Sequence, residues 1–333
     1  MADSPYLRQR IRDEVLEHQW FAVAQSTDIT DTPRQVTVLG EDVVLWRSGD
    51  DLHAFRDLCI HRGAALSLGT VQDGCIVCPY HGWRYDSTGH CVAIPAQPPD
   101  MGIPTKAKTD AYACRERYGL VWVSLGTPQT DVPTFTEGDD PDFYTLACGP
   151  YELNAEAPRV IENFLDVSHL MWVHEGLLGD TGHAEIAEYH VHQRGAQLVS
   201  DTIPIYQPDP DGRGRVVTNN YVYEVLTPMA ARFRKTDPDT AEVFSMLMLT
   251  TPVRRQQTLA YALLSRNYDF DTPDQVFRDF QNKLLEQDRA VVESQRPEAL
   301  PLDLQAELHL KSDRMAISYR RYLAEMGVKV GVA

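Results

Sequence analysis

Apolar length, positive charge and cysteine are all scarce in this sequence. No run comes near the about 20 consecutive apolar residues that cross a bilayer as a helix. Met1–Trp20 carries charges throughout and has no apolar core, so nothing there reads as a signal peptide. Lysine and arginine number 31 against 48 aspartates and glutamates, a net charge of −17. An acidic chain is a poor partner for nucleic acid or an anionic membrane. The six cysteines do not make a disulfide framework, and a reducing cytoplasm is the expected compartment. No Gly-x-Gly-x-x-Gly follows a strand-like run, so no nicotinamide or flavin site is evident. There is no internal repeat and no low-complexity segment. At 333 residues the chain is long enough for two domains with substantial cores.

What is present is a concentrated motif. Cys59-Ile60-His61 is followed, after sixteen intervening residues, by Cys78-Pro79-Tyr80-His81. Each pair mixes a thiolate with an imidazole, which suits a [2Fe–2S] cluster with one iron held by sulfur and the other by nitrogen. A structural zinc site is the bland alternative, but zinc fingers usually group Cys with Cys and His with His. Cys75 makes a C-x-x-C with Cys78, the spacing of a redox dithiol. That reading leaves Cys59 and His61 without a purpose, and Cys75 is expected to be an ordinary buried thiol. Pro79 and Gly82 suit tight turns whose N–H groups point at sulfur.

Around the motif the pattern is β-like. A helix is predicted over residues 5–19, with Leu7, Ile11, Val15 and Leu16 on one side. Strands are predicted over Phe21–Ala24, Gln35–Leu39, Asp42–Trp46, Leu52–Phe55, Gly74–Val77 and Tyr118–Ser124, with turns at Gly40-Glu41 and Gly49–Asp51. Gly126–Asp142 reads as a linker. Beyond it, strands are expected at Tyr151–Ala155, Ala196–Tyr206, Val216–Val225, Val243–Leu249 and Thr258–Ser265. Helices are expected at Val160–His174, Thr272–Glu293 and Leu304–Met326, the last stopped by Gly327. An antiparallel sheet wrapped around helices, an α+β arrangement, is the economical packing.

The helix expected after the linker carries Asn163, Asp166, His169, Trp172 and His174. Asp166 and His169 share a face, whereas His169 and His174 lie about 140° apart on a regular helix. One metal can take both only if the helix bulges or ends, and Gly176 is placed for an ending. Two imidazoles and one distant carboxylate form the facial set of non-haem Fe(II) oxygenases, which leaves positions open for O₂ and substrate. Asp279, Glu286, Asp288 and Glu293 on the later helix are the candidate acids. A solvated surface role beside Arg289 or Lys283 is the plain alternative for Asp288.

Read together, Cys-x-His…Cys-x2-His and Asn-x2-Asp-x2-His-x4-His resemble the α subunits of Rieske non-haem iron oxygenases, over nearly the whole chain. Gln287-Asp288-Arg289 through Gln295 is similar to the segment that supplies the third iron ligand in the monooxygenase and demethylase branch. That branch includes vanillate O-demethylase-like, toluenesulfonate methyl-monooxygenase-like and methylxanthine N-demethylase-like enzymes. Ile317–Leu323 is similar to the same branch.

The resemblance implies an all-β Rieske domain with an N-terminal helix over residues 1–130. A helix-grip catalytic domain with a mononuclear non-haem iron would follow over 131–333. It implies a [2Fe–2S] cluster on Cys59, His61, Cys78 and His81, and Fe(II) on His169, His174 and Asp288. Asp166 would join His169 to His81 of a neighbouring subunit and carry electrons between the two centres. Asn163 and Trp172 would support that site, with core packing an equal alternative for Trp172. A head-to-tail contact of this kind closes into a ring, here expected to be a homotrimer. An NAD(P)H-dependent ferredoxin reductase would supply the electrons. Activated O₂ would then monooxygenate, or remove an O- or N-methyl group from, a small aromatic or heteroaromatic substrate.

Two rivals remain at this stage. A ring cis-dihydroxylating dioxygenase would use the same metal sites. A Rieske electron-transfer protein without oxygenase activity would have no use for the second set of ligands. Met246, Met248, Leu177, Leu178, Phe270, Phe277 and Leu284 are candidates to line the substrate pocket. Glu175–Glu185 reads as a lid, and His183, His190 and His192 as surface residues.

Overall fold

The computed structural model describes residues 10–98 and 100–333. The described chain divides into two compact units, residues 10–12 with 17–132, and 13–16 with 133–333.

The helix expected over 5–19 is not formed in its described part. Residues 10–19 hold only a 3-10 turn at Leu16–His18. Asp13 Oδ1 accepts hydrogen bonds from the N–H groups of Val15 and Leu16, both at 2.9 Å. This local capping competes with helix propagation. Residues 5–9 of that expectation lie outside the described residues.

In the first unit, six antiparallel strands run in the spatial order Phe21–Gln25, Leu120–Ser124, Ala111–Arg117, Asp51–Arg56, Glu41–Ser48, Arg34–Val38. The hairpin between the last two turns on Leu39 and Gly40, with φ of 49° and 73°. Two left-handed residues match the twist of such a hairpin, so the turn sits one residue earlier than expected. Ala111–Arg117 escaped the sequence reading because its charged residues mask the alternation. A second sheet, Thr70–Gln72, Cys75–Val77, Arg84–Tyr85 and Cys91–Ala93, carries the Cys78–His81 loop between its second and third strands, while the Cys59–His61 loop follows Asp51–Arg56 of the first sheet. Val44, Trp46, Phe55, Ile76 and Tyr85 close a core beneath Cys59 and Cys78. Each such burial contributes roughly 1.5–3 kcal/mol, and this makes the loop bases rigid.

The second unit is an eight-stranded antiparallel sheet. Its order is Tyr144–Leu153, Gln257–Arg266, Val243–Arg254, Ala230–Thr236, Val217–Thr227, Gln197–Ser200, Val191–Arg194, with Ile203–Gln207 also paired to Val217–Thr227. The strand expected at Ala196–Tyr206 is therefore two strands. Asp201 interrupts it by turning its carboxylate to His190 and His192. Ala230–Thr236 and Val191–Arg194 were not anticipated.

Among the described residues there are three α-helices: α1 (Ala157–Leu165), α2 (Asp274–Val292) and α3 (Arg314–Met326). α2 buries Phe277, Gln281, Leu284, Leu285 and Val292, a stripe of helical period facing the sheet. α3 begins ten residues later than expected and ends at Gly327, whose φ of 77° suits glycine at that position. Arg320 of α3 donates to both carboxylate oxygens of Glu162 on α1, and to Glu307. That buried network fastens α1 in place.

The helix expected over Val160–His174 is corrected. α1 stops at Leu165, and Asp166 adopts extended backbone angles of φ −77° and ψ 121°. Its Oδ1 accepts from the N–H of Ser168 at 2.8 Å and from its hydroxyl at 3.0 Å, starting a separate 3-10 turn at Ser168–Met171. Aspartate favours such local bonding over helix continuation. The break removes the 140° obstacle between His169 and His174.

Candidate metal centres

The two cysteine–histidine loops share one hydrogen-bond pattern. Cys59 N–H donates to Ala64 O and Gly63 N–H to Cys59 O; Cys78 N–H donates to Trp83 O and Gly82 N–H to Cys78 O. Gly63 and Gly82 take φ of 72° and 69°, a left-handed step that a Cβ would strain. Both thiols are buried, with Cys78 close beside Cys59, while both imidazoles reach the surface. Burial pushes the Cys59 thiol up, against a hydrogen bond from Tyr85. Tyr85 Oη lies 3.1 Å from Cys59 Sγ.

His61 and His81 turn their Nδ1 atoms toward each other at 3.2 Å, and Trp83 stacks on the His61 ring with centroids 4.6 Å apart. Two metal–nitrogen bonds of about 2.1 Å at a tetrahedral angle hold their donors about 3.4 Å apart. The donor set and spacing fit a cluster with one imidazole-held iron. Cys75 is half-buried and lies at the start of a strand.

The second set lies on three elements. His169 belongs to the 3-10 turn after α1, His174 follows it, and Asp288 projects from the buried face of α2. One ligand atom from each lies within 4.8 Å of the others. Asp288 Oδ1 is 3.1 Å from His174 Nε2 and 3.5 Å from His169 Nε2. That oxygen is nonetheless buried without a hydrogen-bond partner. An orphaned carboxylate oxygen among converging lone pairs fits a cation in their midst.

The opposite ring nitrogens fix the tautomers. His169 Nδ1 is 2.7 Å from the Asp166 main-chain oxygen, and His174 Nδ1 is 2.8 Å from Gln287 Oε1. With Nδ1 donating, each Nε2 offers a lone pair. Burial lowers the basicity of His174, but the nearby Asp288 carboxylate, aided by Gln287, outweighs it and raises the net value.

The other sequence candidates separate clearly. Glu286 pairs with Arg289 on the surface, Glu293 accepts from Asn154, and Asp279 accepts from Gln275. Trp172, read as either core or a support for the site, is not core: it is 68% exposed. His183, His190 and His192 are exposed and pair with Asp180 or Asp201. The Asp166 carboxylate stays 4.0 Å from His169 Nδ1, so within one chain its main-chain oxygen, not its side chain, holds that ring. The first part of the expected lid is tied down: Leu177 and Leu178 N–H both donate to His174 O, and Gly176 N–H donates to Gly179 O.

The triad opens on a cavity walled by Phe233, Phe244, Met246, Met248, Phe277 and Leu284, among others. About 80 Å³ of it is free, several times the roughly 10–15 Å³ that one water requires. Of the expected lining, Met246, Met248, Leu178, Phe277 and Leu284 are there, while Leu177 and Phe270 are not. Gln281 and Lys235 were missed. Gln281 is 5% exposed, and it sits on the same helical stripe as Phe277, Leu284 and Asp288. A polar residue on that stripe is the signal that could have found it. For Lys235 no such signal existed, since its strand went unread.

Residues 19–114 match the Rieske [2Fe-2S] domain family, and residues 153–329 match the vanillate O-demethylase oxygenase C-terminal domain family. The methylxanthine N1-demethylase of Pseudomonas putida is 32% identical over 323 residues, covering 94% of this chain and 90% of that protein. The toluene-4-sulfonate monooxygenase system iron–sulfur subunit TsaM1 of Comamonas testosteroni is 26% identical and covers 92% and 97%. The structure of the Pseudomonas putida N1-demethylase with caffeine superposes with a TM-score of 0.84 at 31% identity, covering 93% of this chain and 90% of that one. Cluster loops, triad and likeness along the chain converge: this protein belongs to the Rieske non-haem iron oxygenases, as a terminal oxygenase subunit of their monooxygenase and demethylase branch.

Proposed function

We propose that this subunit removes an N- or O-linked methyl group from a small planar aromatic or heteroaromatic substrate, taking electrons from a separate NAD(P)H-dependent reductase. The observation that carries the reading is the partnerless Asp288 oxygen between His169 and His174 at the end of an aromatic-walled cavity. The relatives named as demethylases support the choice of reaction.

In this reading Cys59, Cys78, His61 and His81 hold the [2Fe–2S] cluster, and His169, His174 and Asp288 hold the mononuclear iron. Those centres supply one-electron transfer and reductive activation of O₂. The protein's own part is positional. Asp166 O and Gln287 keep the protons of His169 and His174 on Nδ1, facing away from the metal. Phe233, Phe244 and Phe277 exclude water and hold a flat ring. Gln281 presents a buried amide to a polar edge of that ring.

The Asp166 carboxylate, kept off His169 within its own chain, is free to accept from His81 of a neighbouring subunit, in a homotrimer closed head to tail. Six cysteines with no disulfide among them support a reducing cytoplasm as its compartment.

The test is metal analysis followed by turnover. Anaerobically reconstituted protein should hold about three irons per chain, two in the cluster and one at the triad. Asp288→Ala should retain the cluster and lose the third iron. With a surrogate reductase and a panel of methylated aromatics, NADH use and O₂ uptake should accompany formaldehyde release. A cis-diol without formaldehyde would point to dihydroxylation instead, and two irons with no turnover to an electron carrier.

A further inference from the structure

The cavity that ends at the triad, with Asp211 in its lining, also carries one lysine on its wall, Lys235. It stands on the strand Ala230–Thr236, alternating with Phe233, and its strand neighbours are Tyr221 and Phe244. The residue is 5% exposed. Its ammonium donates to Pro210 O at 2.9 Å and lies 4.8 Å from the centroid of the Phe244 ring. An ammonium carries three donors, so two remain beyond the one that Pro210 uses.

The neighbouring acids are already engaged. Asp211 accepts from Arg213 Nε at 2.7 Å, and Asp237 from Arg215 at 2.7 Å. Glu242 accepts from Arg213 and Arg215, both at 2.8 Å. Three carboxylates against two guanidiniums leave a surplus negative charge that favours protonated Lys235, yet none of their oxygens forms an ion pair with it. Burial draws the ammonium down to about 8, Asp211 opposing and Arg213 adding to the effect. Near neutrality it therefore stays charged. A cation out of water with only a carbonyl and a ring as partners is a standing cost to the fold. A counter-ion that arrives with the substrate removes it.

We propose that Lys235 is a specificity-determining residue of this cavity, binding the anionic oxygen of a carboxylate carried by the aromatic substrate. The proposal rests on the cavity being the substrate site. A purely structural role, tying Pro210 to the sheet, is the alternative that the experiment must separate.

The experiment uses iron-loaded protein kept anaerobic at neutral pH, with calorimetric titration of 3-methoxybenzoate and of the neutral, near-isosteric 3-methoxybenzamide. The charged bond should make wild type prefer the acid by about tenfold or more. Lys235→Met should lose that preference, weakening the acid about tenfold while shifting the amide by less than about twofold. Lys235→Arg, which keeps the charge, should restore part of the preference. Equal affinities in wild type, parallel loss of both ligands in Lys235→Met, or no saturable binding of the acid in the millimolar range would overturn the assignment. Binding needs no turnover, so the two ideas fail separately. Protein that binds the acid through Lys235 but never consumes O₂ with any methylated aromatic would sink the demethylase reading and leave the anion subsite standing.

Discussion

Gln287 Oε1 lies 2.8 Å from Nδ1 of His174, one residue before the acid that faces the same ring's Nε2. A single turn of α2 thus grips both sides of the imidazole, one residue fixing its proton and the next completing the metal set. Removing such a supporting acceptor typically lowers metal affinity by about 10–100-fold. Gln287→Leu should therefore lose mononuclear iron on dilution or mild chelation while the cluster's visible absorbance stays intact. Unchanged iron retention would show that Gln287 does not set the ring.

Tyr85 should tune the cluster. Its hydroxyl, 3.1 Å from Cys59 Sγ, donates to a thiolate once iron is bound, and that bond favours the electron-rich reduced state. Tyr85→Phe should lower the reduction potential. A net hydrogen bond of about 1 kcal/mol corresponds to roughly 40 mV for one electron. A rise or no change in potential, read by redox titration of the cluster signal, would contradict this role.

Arg320 should prove structural. It sits in the segment Ile317–Leu323 that resembles the branch, but it lies buried against Glu162 and Glu307 rather than at the site. Breaking one partner of a buried pair costs about 3–5 kcal/mol. Arg320→Ala should lower the urea midpoint accordingly, by leaving Glu162 of α1 with only its 3.4 Å contact to Arg159. A loss under about 1 kcal/mol would place the network among surface pairs.

Lys235 should also govern a pH-dependent stability difference. Its folded value of about 8 lies below the ordinary 10.5, so between those limits the unfolded chain binds more protons and stability rises with pH. Below about 8 the buried charge is a full penalty, on the order of 3 kcal/mol, partly offset by the bond to Pro210. Ligand-free Lys235→Met should be more stable than wild type at pH 7. The gap should narrow as pH climbs from about 8 toward 10.5. A gap independent of pH would mean that the ammonium titrates normally.

Much of the site was legible in advance because its chemistry is local. Cys-x-His and Cys-x2-His fit two short turns with the same backbone pattern, and the glycines that permit those turns are visible as letters. Asp288 was found through a resemblance, since nothing in its own spacing to His169 distinguishes it from Glu286. Three of the misplaced elements share one cause. Asp13, Asp166 and Asp201 each turn a carboxylate onto nearby backbone, and hydropathy period is blind to that competition. Trp172 was misjudged because an indole in an apolar run resembles core until its neighbours are known.

The sequence by itself determined the cluster chemistry, the two-part organisation and the histidine pair, since each depends on residues close together in the chain. Tertiary structure alone decided that Asp288 meets those histidines and that Gln281 and Lys235 line the same cavity. Those facts depend on strand register and helix rotation across more than a hundred residues. Register of that kind is set by packing the whole sheet at once, and no local pattern records it.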